Sequence, residues 1–145
     1  MMAPVRLSEI CAQLNAEQAR YLLVGSSAMY LWGSSGSLRD IELLIEPTRQ
    51  NVRRVVRAFR RAGFELARDE LGQEVLTQGA VRFGDLPRIY LYVEVTGLSY
   101  RGLVPGSHTF ILAGTSIPTA SVSELLAARA RNGGPNRPLS SPDPR

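Results

Sequence analysis

Lysine is absent from this chain of 145 residues: all 17 of its basic residues are arginine. Such a surface cannot shed its charge near neutral pH, and the planar guanidinium suits carboxylate and phosphate oxygens. Cysteine is almost missing too. The single Cys11 excludes an internal disulfide and any cysteine metal cluster, and its place among Leu7, Ile10 and Leu14 assigns it to the buried face of a helix. The one histidine, His108, has no second histidine, serine or cysteine at motif spacing and receives no role. Long apolar runs are lacking as well. Tyr21–Val24 and Leu43–Ile45 fall far short of the roughly 20 residues a bilayer span needs, and no basic-then-apolar leader opens the chain. The expectation is a cytoplasmic protein without membrane contact.

What is present suits one ordinary domain. A hydrophobic content of 44% can build one core around a sheet. The net charge of +4 favours polyanionic partners such as nucleotides or RNA, as attraction rather than as a site. Beyond Asn132 the composition turns to Gly, Pro, Ser, Asn and Asp. The expected organisation is therefore a domain over 1–131 and a disordered tail over 132–145.

Along the chain, Ser8 is read as the cap of a first helix running to about Gln18, followed by a buried strand over Tyr21–Val24. Gly25, Ser26 and Ser27 break that strand and open a second helix through Ala28, Met29, Leu31 and Trp32 to Gly33. A loop of glycine and serine leads to a strand over Ile41–Ile45, closed by Pro47. The spacing of Val52, Val55, Val56 and Phe59 predicts a helix from Thr48 to Ala62, with Gly63 as its stop. A strand is expected near Phe64–Ala67, a hairpin or two short strands over Glu74–Phe83, and an alternating strand over Arg88–Val95. Thr109–Leu112 and Ser116–Ile117 form a pair turning at Ala113-Gly114. Ser121 and Glu124 make a capping box for a last helix through Ala130.

The chemically informative segment is Val24-Gly25-Ser26, a gap of thirteen residues, then Asp40-Ile41-Glu42-Leu43. Gly25 permits a sharp turn after a strand. The N–H groups of the helix starting at Ser26 would face outward, where the dipole favours phosphate, and Ser26 adds a hydroxyl. Asp40 and Glu42, two apart on a strand, leave the same face and can converge on one hard cation that bridges nucleotide phosphates. The bland alternatives are an ordinary structural turn and a solvated strand edge.

This pattern resembles the signature of the nucleotidyltransferase superfamily: a hydrophobic residue, Gly, Gly or Ser, a gap, then Asp, hydrophobic, Asp or Glu, hydrophobic. Tyr21–Glu46 is similar to the abortive-infection, AbiEii-type group known from toxin–antitoxin systems, and Arg82–Arg101 and Ile117–Arg131 look like that group's third strand and C-terminal helix. The resemblance implies an α/β fold with a mixed β-sheet flanked by helices. It also implies Mg2+ held by Asp40 and Glu42 as catalytic carboxylates, with a nucleoside triphosphate at Gly25 and Ser26. The reaction would transfer a nucleoside monophosphate to a hydroxyl of RNA, protein or a small molecule.

Three departures bear on catalysis. Tyr90 stands where the family carries a third carboxylate, and a phenol with an ordinary pKa of about 10 is a poor magnesium ligand. Glu94 shares its strand face but lies about 13 Å further along. The family's Arg and Thr before the first carboxylate are replaced around Gly36 and Leu38, and its helical lysine is matched only by Arg129. A second reading follows: a catalytically degenerate module that binds nucleotide, RNA or a partner protein. A regulatory partner in a toxin–antitoxin pair is a third.

Arg49, Arg53, Arg54, Arg57, Arg60 and Arg61 line one side of the Thr48–Ala62 helix, either a solvated face or a ridge for a polyanion. Trp32, Tyr92 and Tyr100 are read as core rather than as base-stacking residues.

Overall fold

The computed structural model describes residues 2–65, 68–95 and 97–131. Strand β1 (Tyr21–Val24) is buried along its whole length and sits near the middle of a six-stranded sheet. On one side it pairs antiparallel with β2 (Asp40–Ile45), which pairs in parallel with β4 (Arg88–Tyr92); β4 pairs antiparallel with β3 (Ala80–Phe83). On its other side β1 runs parallel to β6 (Thr115–Thr119), the partner of the terminal strand β5 (His108–Leu112). The order is β3-β4-β2-β1-β6-β5, so the protein is a single α/β domain with a mixed sheet.

Helices flank this sheet because both faces of its central strands are apolar. Tyr21 pairs with Ile45 on one face, and its hydroxyl donates to Asn15 Oδ1 of α1 (Met2–Ala16) at 2.9 Å. Helix α3 (Arg49–Arg61) packs against α1 and against α4 (Asp69–Gln78). Helix α2 (Gly25–Leu31) lies on β1 and β2 and meets α6 (Val122–Arg131). A short α5 (Tyr100–Leu103) and a single 3-10 turn (Val104–Gly106) lead into β5.

Helix α3 forms where its apolar spacing places it. Thr48 Oγ1 accepts from the Asn51 N–H at 3.1 Å, Val52, Val55, Val56 and Phe59 are buried, and Gly63 takes φ +97 after the last turn. The turn between β5 and β6 has positive φ at both Ala113 and Gly114, the geometry that lets a two-residue loop match strand twist. Ser121 caps α6, its Oγ accepting from the Glu124 N–H at 3.2 Å.

Several local expectations are overturned by tertiary partners. Ser8 is not a cap: α1 begins at Met2, and buried Ser8 donates from Oγ to Thr115 Oγ1 of β6 at 3.0 Å. The helix also stops at Ala16, with Gln18 at φ 59 and the Ala19 N–H returning to Leu14 O. The segment expected as a hairpin over Glu74–Phe83 is the second half of α4 followed by β3. Asp69 and Glu70 complement the dipole of α4, and Gly79, at φ +85, ends the helix. Phe64 and Glu65 belong to no strand; Phe64 stacks edge-on against Phe59 and Phe83, which gives it a tertiary anchor instead. Leu66 and Ala67 of that expected strand, and the tail over 132–145, lie outside the described residues. Strand β4 ends at Tyr92 rather than Val95, which pairs instead with Leu98 in an isolated bridge.

Candidate functional site

The register of the sheet assembles the carboxylates and their neighbours on one face. Val24 pairs with Glu42, Glu42 with Tyr90, and Tyr90 with Arg82, while Asp40 pairs with Arg88. Strand alternation then places Asp40, Glu42, Arg82, Arg88, Tyr90 and Tyr92 on the face that carries α2. Asp40 and Glu42 do share a face, as their spacing implies.

The turn between β1 and α2 is shaped around Glu42. Gly25 has φ +65, and a Cβ at this position would overlap the Glu42 carboxylate. A glycine is needed here for conformation and for space. The Ser26 N–H donates to Glu42 Oε2 at 3.0 Å, the Glu42 N–H donates to Ser27 Oγ at 3.2 Å, and Ser27 Oγ donates to Val24 O at 3.0 Å. Glu42 is thus the acceptor for the first turn of α2, supplied from a neighbouring strand. The expectation that the Ser26 amide faces outward for a phosphate is corrected: it is spent on Glu42.

The Ser26 hydroxyl is engaged as well. Its Oγ accepts from the Ser37 N–H at 2.9 Å, and the Ser26 carbonyl accepts from the same group at 3.2 Å. A Cβ on Gly36 would collide with that carbonyl, so the loop from Gly33 to Ser37 lies tight against α2.

The electrostatics divide the two carboxylates. Glu42 is 1% exposed, and burial pushes its carboxyl up to about 8, opposed by the Ser26 N–H and reinforced by Asp40. Glu42 Oε1 has no hydrogen-bond partner among the described residues, nor has the buried Tyr92 hydroxyl, whose pKa burial also raises. Asp40, by contrast, is partly exposed and accepts from Arg88 Nε at 2.6 Å. Arg88 in turn is held more firmly in its charged form, chiefly by this hydrogen bond.

Tyr90 stands beside Glu42 with its ring stacked 6.2 Å from that of Tyr92. Glu94 lies beyond the end of β4 and is exposed, so it does not join the carboxylates. Arg129 is on α6. Among the described residues no group of three or more His, Cys, Asp or Glu side chains can hold a metal ion. Arg88 occupies the cationic position against Asp40, and burial disfavours the charged form of Glu42.

The arginine face of α3 is less free than its sequence implies. Arg57 and Arg61 both pair with Glu17 of the segment after α1, at 3.1 and 3.0 Å, Arg60 pairs with Asp69 at 3.5 Å, and Arg54 donates to Gln18 O at 3.4 Å. Arg49 and Arg53 line a cleft of about 200 Å3 between α3 and α4. Cys11 is buried, and burial pushes its thiol up to about 12, in keeping with a core role.

Two residues of structural consequence carried no motif. Ser27 links Val24 to Glu42, and its only sequence signal is its place in a Gly-Ser-Ser turn. Asn51, 2% exposed, accepts from the Arg20 N–H at 2.7 Å and donates to Arg20 O and Glu46 O at 2.9 Å, tying α3 to the start of β1 and the end of β2. Nothing in the local sequence distinguishes it from a surface asparagine.

Comparison with protein-family models, with curated proteins and with solved structures finds no match for this chain. No helix among the described residues is long and apolar enough to cross a membrane.

Proposed function

We propose that this protein is a nucleotidyltransferase-like module that has kept the architecture of the site but binds a partner without turnover. The observation that carries this reading is the 2.6 Å contact between Arg88 and Asp40, beside a buried Glu42 whose carboxyl is pushed up by burial. An active metal-dependent transferase needs carboxylates free to bind Mg2+ and to align the α-phosphate of a nucleoside triphosphate. Here one carboxylate is paired with an internal guanidinium, and burial disfavours the charged form of the other. The motif, the glycine turn and the Tyr90 position support descent from such enzymes; the charge balance supports a binding or regulatory role toward a nucleotide, RNA or a partner protein, as in a toxin–antitoxin pair. Cytoplasmic residence belongs to the same proposal.

The discriminating experiment is calorimetric titration with a non-hydrolysable ATP or GTP analogue, with and without magnesium, on the wild type and Asp40→Ala. The binding-module reading expects no magnesium-dependent component in either protein. Nucleotide binding that requires both magnesium and Asp40 would restore the transferase reading and justify a search for the hydroxyl acceptor.

A further inference from the structure

Strand β5 ends the sheet, with β6 on one side and no strand among the described residues on the other. Terminal strands expose a row of unpaired N–H and C=O groups, and soluble proteins commonly blunt them with charge, proline, bulges or a covering element. The opposite edge follows that practice: β3 is four residues long, carries exposed Arg82 and lies against α4. β5 does not. Its sequence is His-Thr-Phe-Ile-Leu, Ile111 is 69% exposed, and from Gly102 to Ser123 the chain holds no arginine, aspartate or glutamate. In a chain that is 21% charged, that is a long stretch without a charged residue.

The two faces of β5 are both furnished for contact. On one, His108 and Phe110 form a cluster with Trp32, with ring centroids 4.5 to 5.2 Å apart. The Trp32 indole N–H donates to Ala120 O at 2.9 Å, which fixes the ring as a half-buried platform. On the other face stand Thr109 and Ile111, both exposed. Aromatic residues with an uncharged centre are what association surfaces enrich.

We propose that β5 is a self-association edge, at which two copies pair their β5 strands antiparallel about a twofold axis normal to the sheet. The charge distribution selects a second copy. Two chains of net charge +4 repel over most approaches, and this neutral hairpin is where they can meet without opposing like charges. An isologous pairing also requires an edge complementary to itself, and a neutral, β-forming strand meets that condition. A twofold axis normal to the sheet keeps each face on its own side, so the Ile111 side chains of both copies fall on one face and the two aromatic clusters on the other. Five paired residues bury less than the roughly 800 Å2 per partner of a standard interface, so the dimer is a dissociating one with a Kd on the order of 1–100 μM. This inference is independent of the nucleotidyltransferase reading.

Sedimentation equilibrium of the full chain, over concentrations spanning that Kd, tests it. The wild type is expected to dimerise, whereas Ile111→Lys and Ile111→Glu, at an exposed position that leaves the monomer folded, should each weaken dimerisation by roughly tenfold or more. Mixing the two variants should restore a heterodimer, because the axis brings the opposite charges onto one face. A wild type that stays monomeric throughout, dimers indifferent to both substitutions, or variants that fail to recover on mixing would each overturn the proposal.

Discussion

Arg88 reaches Asp40 at 2.6 Å because the parallel register of β2 and β4 sets the two residues side by side, with Tyr90 one step along beside Glu42. The first prediction follows from this pairing. Replacing the cation and supplying a carboxylate together, as Arg88→Gln with Tyr90→Asp, should give magnesium binding tighter by about tenfold or more than any the wild type shows, measurable by titration calorimetry. Either substitution alone should fall short, since one leaves Asp40 neutralised and the other leaves only two carboxylates. A double variant that binds no magnesium would mean that the surrounding site has been remodelled beyond these two positions.

A second prediction concerns pH. Burial raises the Glu42 carboxyl from 4.5 to about 8, so the folded chain holds a proton that the unfolded chain releases. The stability linked to this proton is complete below the unfolded value and is lost as pH rises through the folded one, at roughly 1.4 kcal/mol per unit in between. Glu42→Gln keeps an acceptor for the Ser26 N–H but cannot titrate. Thermal unfolding of the two proteins from pH 4.5 to pH 8 should therefore diverge, the wild type losing ground as pH rises. Parallel curves would show that Glu42 is not held protonated.

Gly25 offers a third. Gly25→Ala meets both a left-handed backbone and the Glu42 carboxylate, and should cost roughly 2 kcal/mol or more in chemical denaturation. In a Glu42→Ala background the collision is removed and only the backbone strain remains, so the cost should shrink. Equal costs in the two backgrounds would dismiss the close approach.

The fourth prediction is Asn51→Ala. It removes three hydrogen bonds from a buried side chain and leaves the Arg20 N–H without its acceptor, while Arg20 O and Glu46 O keep the Glu46 and Thr48 N–H groups; this should destabilise the fold by about 2 kcal/mol. A loss below about 0.5 kcal/mol, the scale of a surface change, would contradict that role.

Where a signal was local and periodic, the sequence carried the structure. The α3 helix follows from Val52, Val55, Val56 and Phe59 at helical spacing behind Thr48, and the shared face of Asp40 and Glu42 follows from the two-residue period of a strand. The α/β class and the β1–turn–α2 unit were legible for the same reason. Ser8, the Glu74–Phe83 segment and Phe64 depart from their local reading because a distant partner or neighbouring element overrides it: Thr115 for Ser8, the second half of α4 for Glu74–Gln78, the Phe59–Phe83 cluster for Phe64.

What the sequence determined by itself, then, is the inventory: one core, an arginine-only surface, a glycine turn and two carboxylates in step on a strand. What only the tertiary structure decided is the state of those groups. Whether a carboxylate is charged depends on what lies across the sheet from it and how much water reaches it. Neither the guanidinium on Asp40, 48 positions away in the chain, nor the burial of Glu42 beneath Gly25 is written in local spacing.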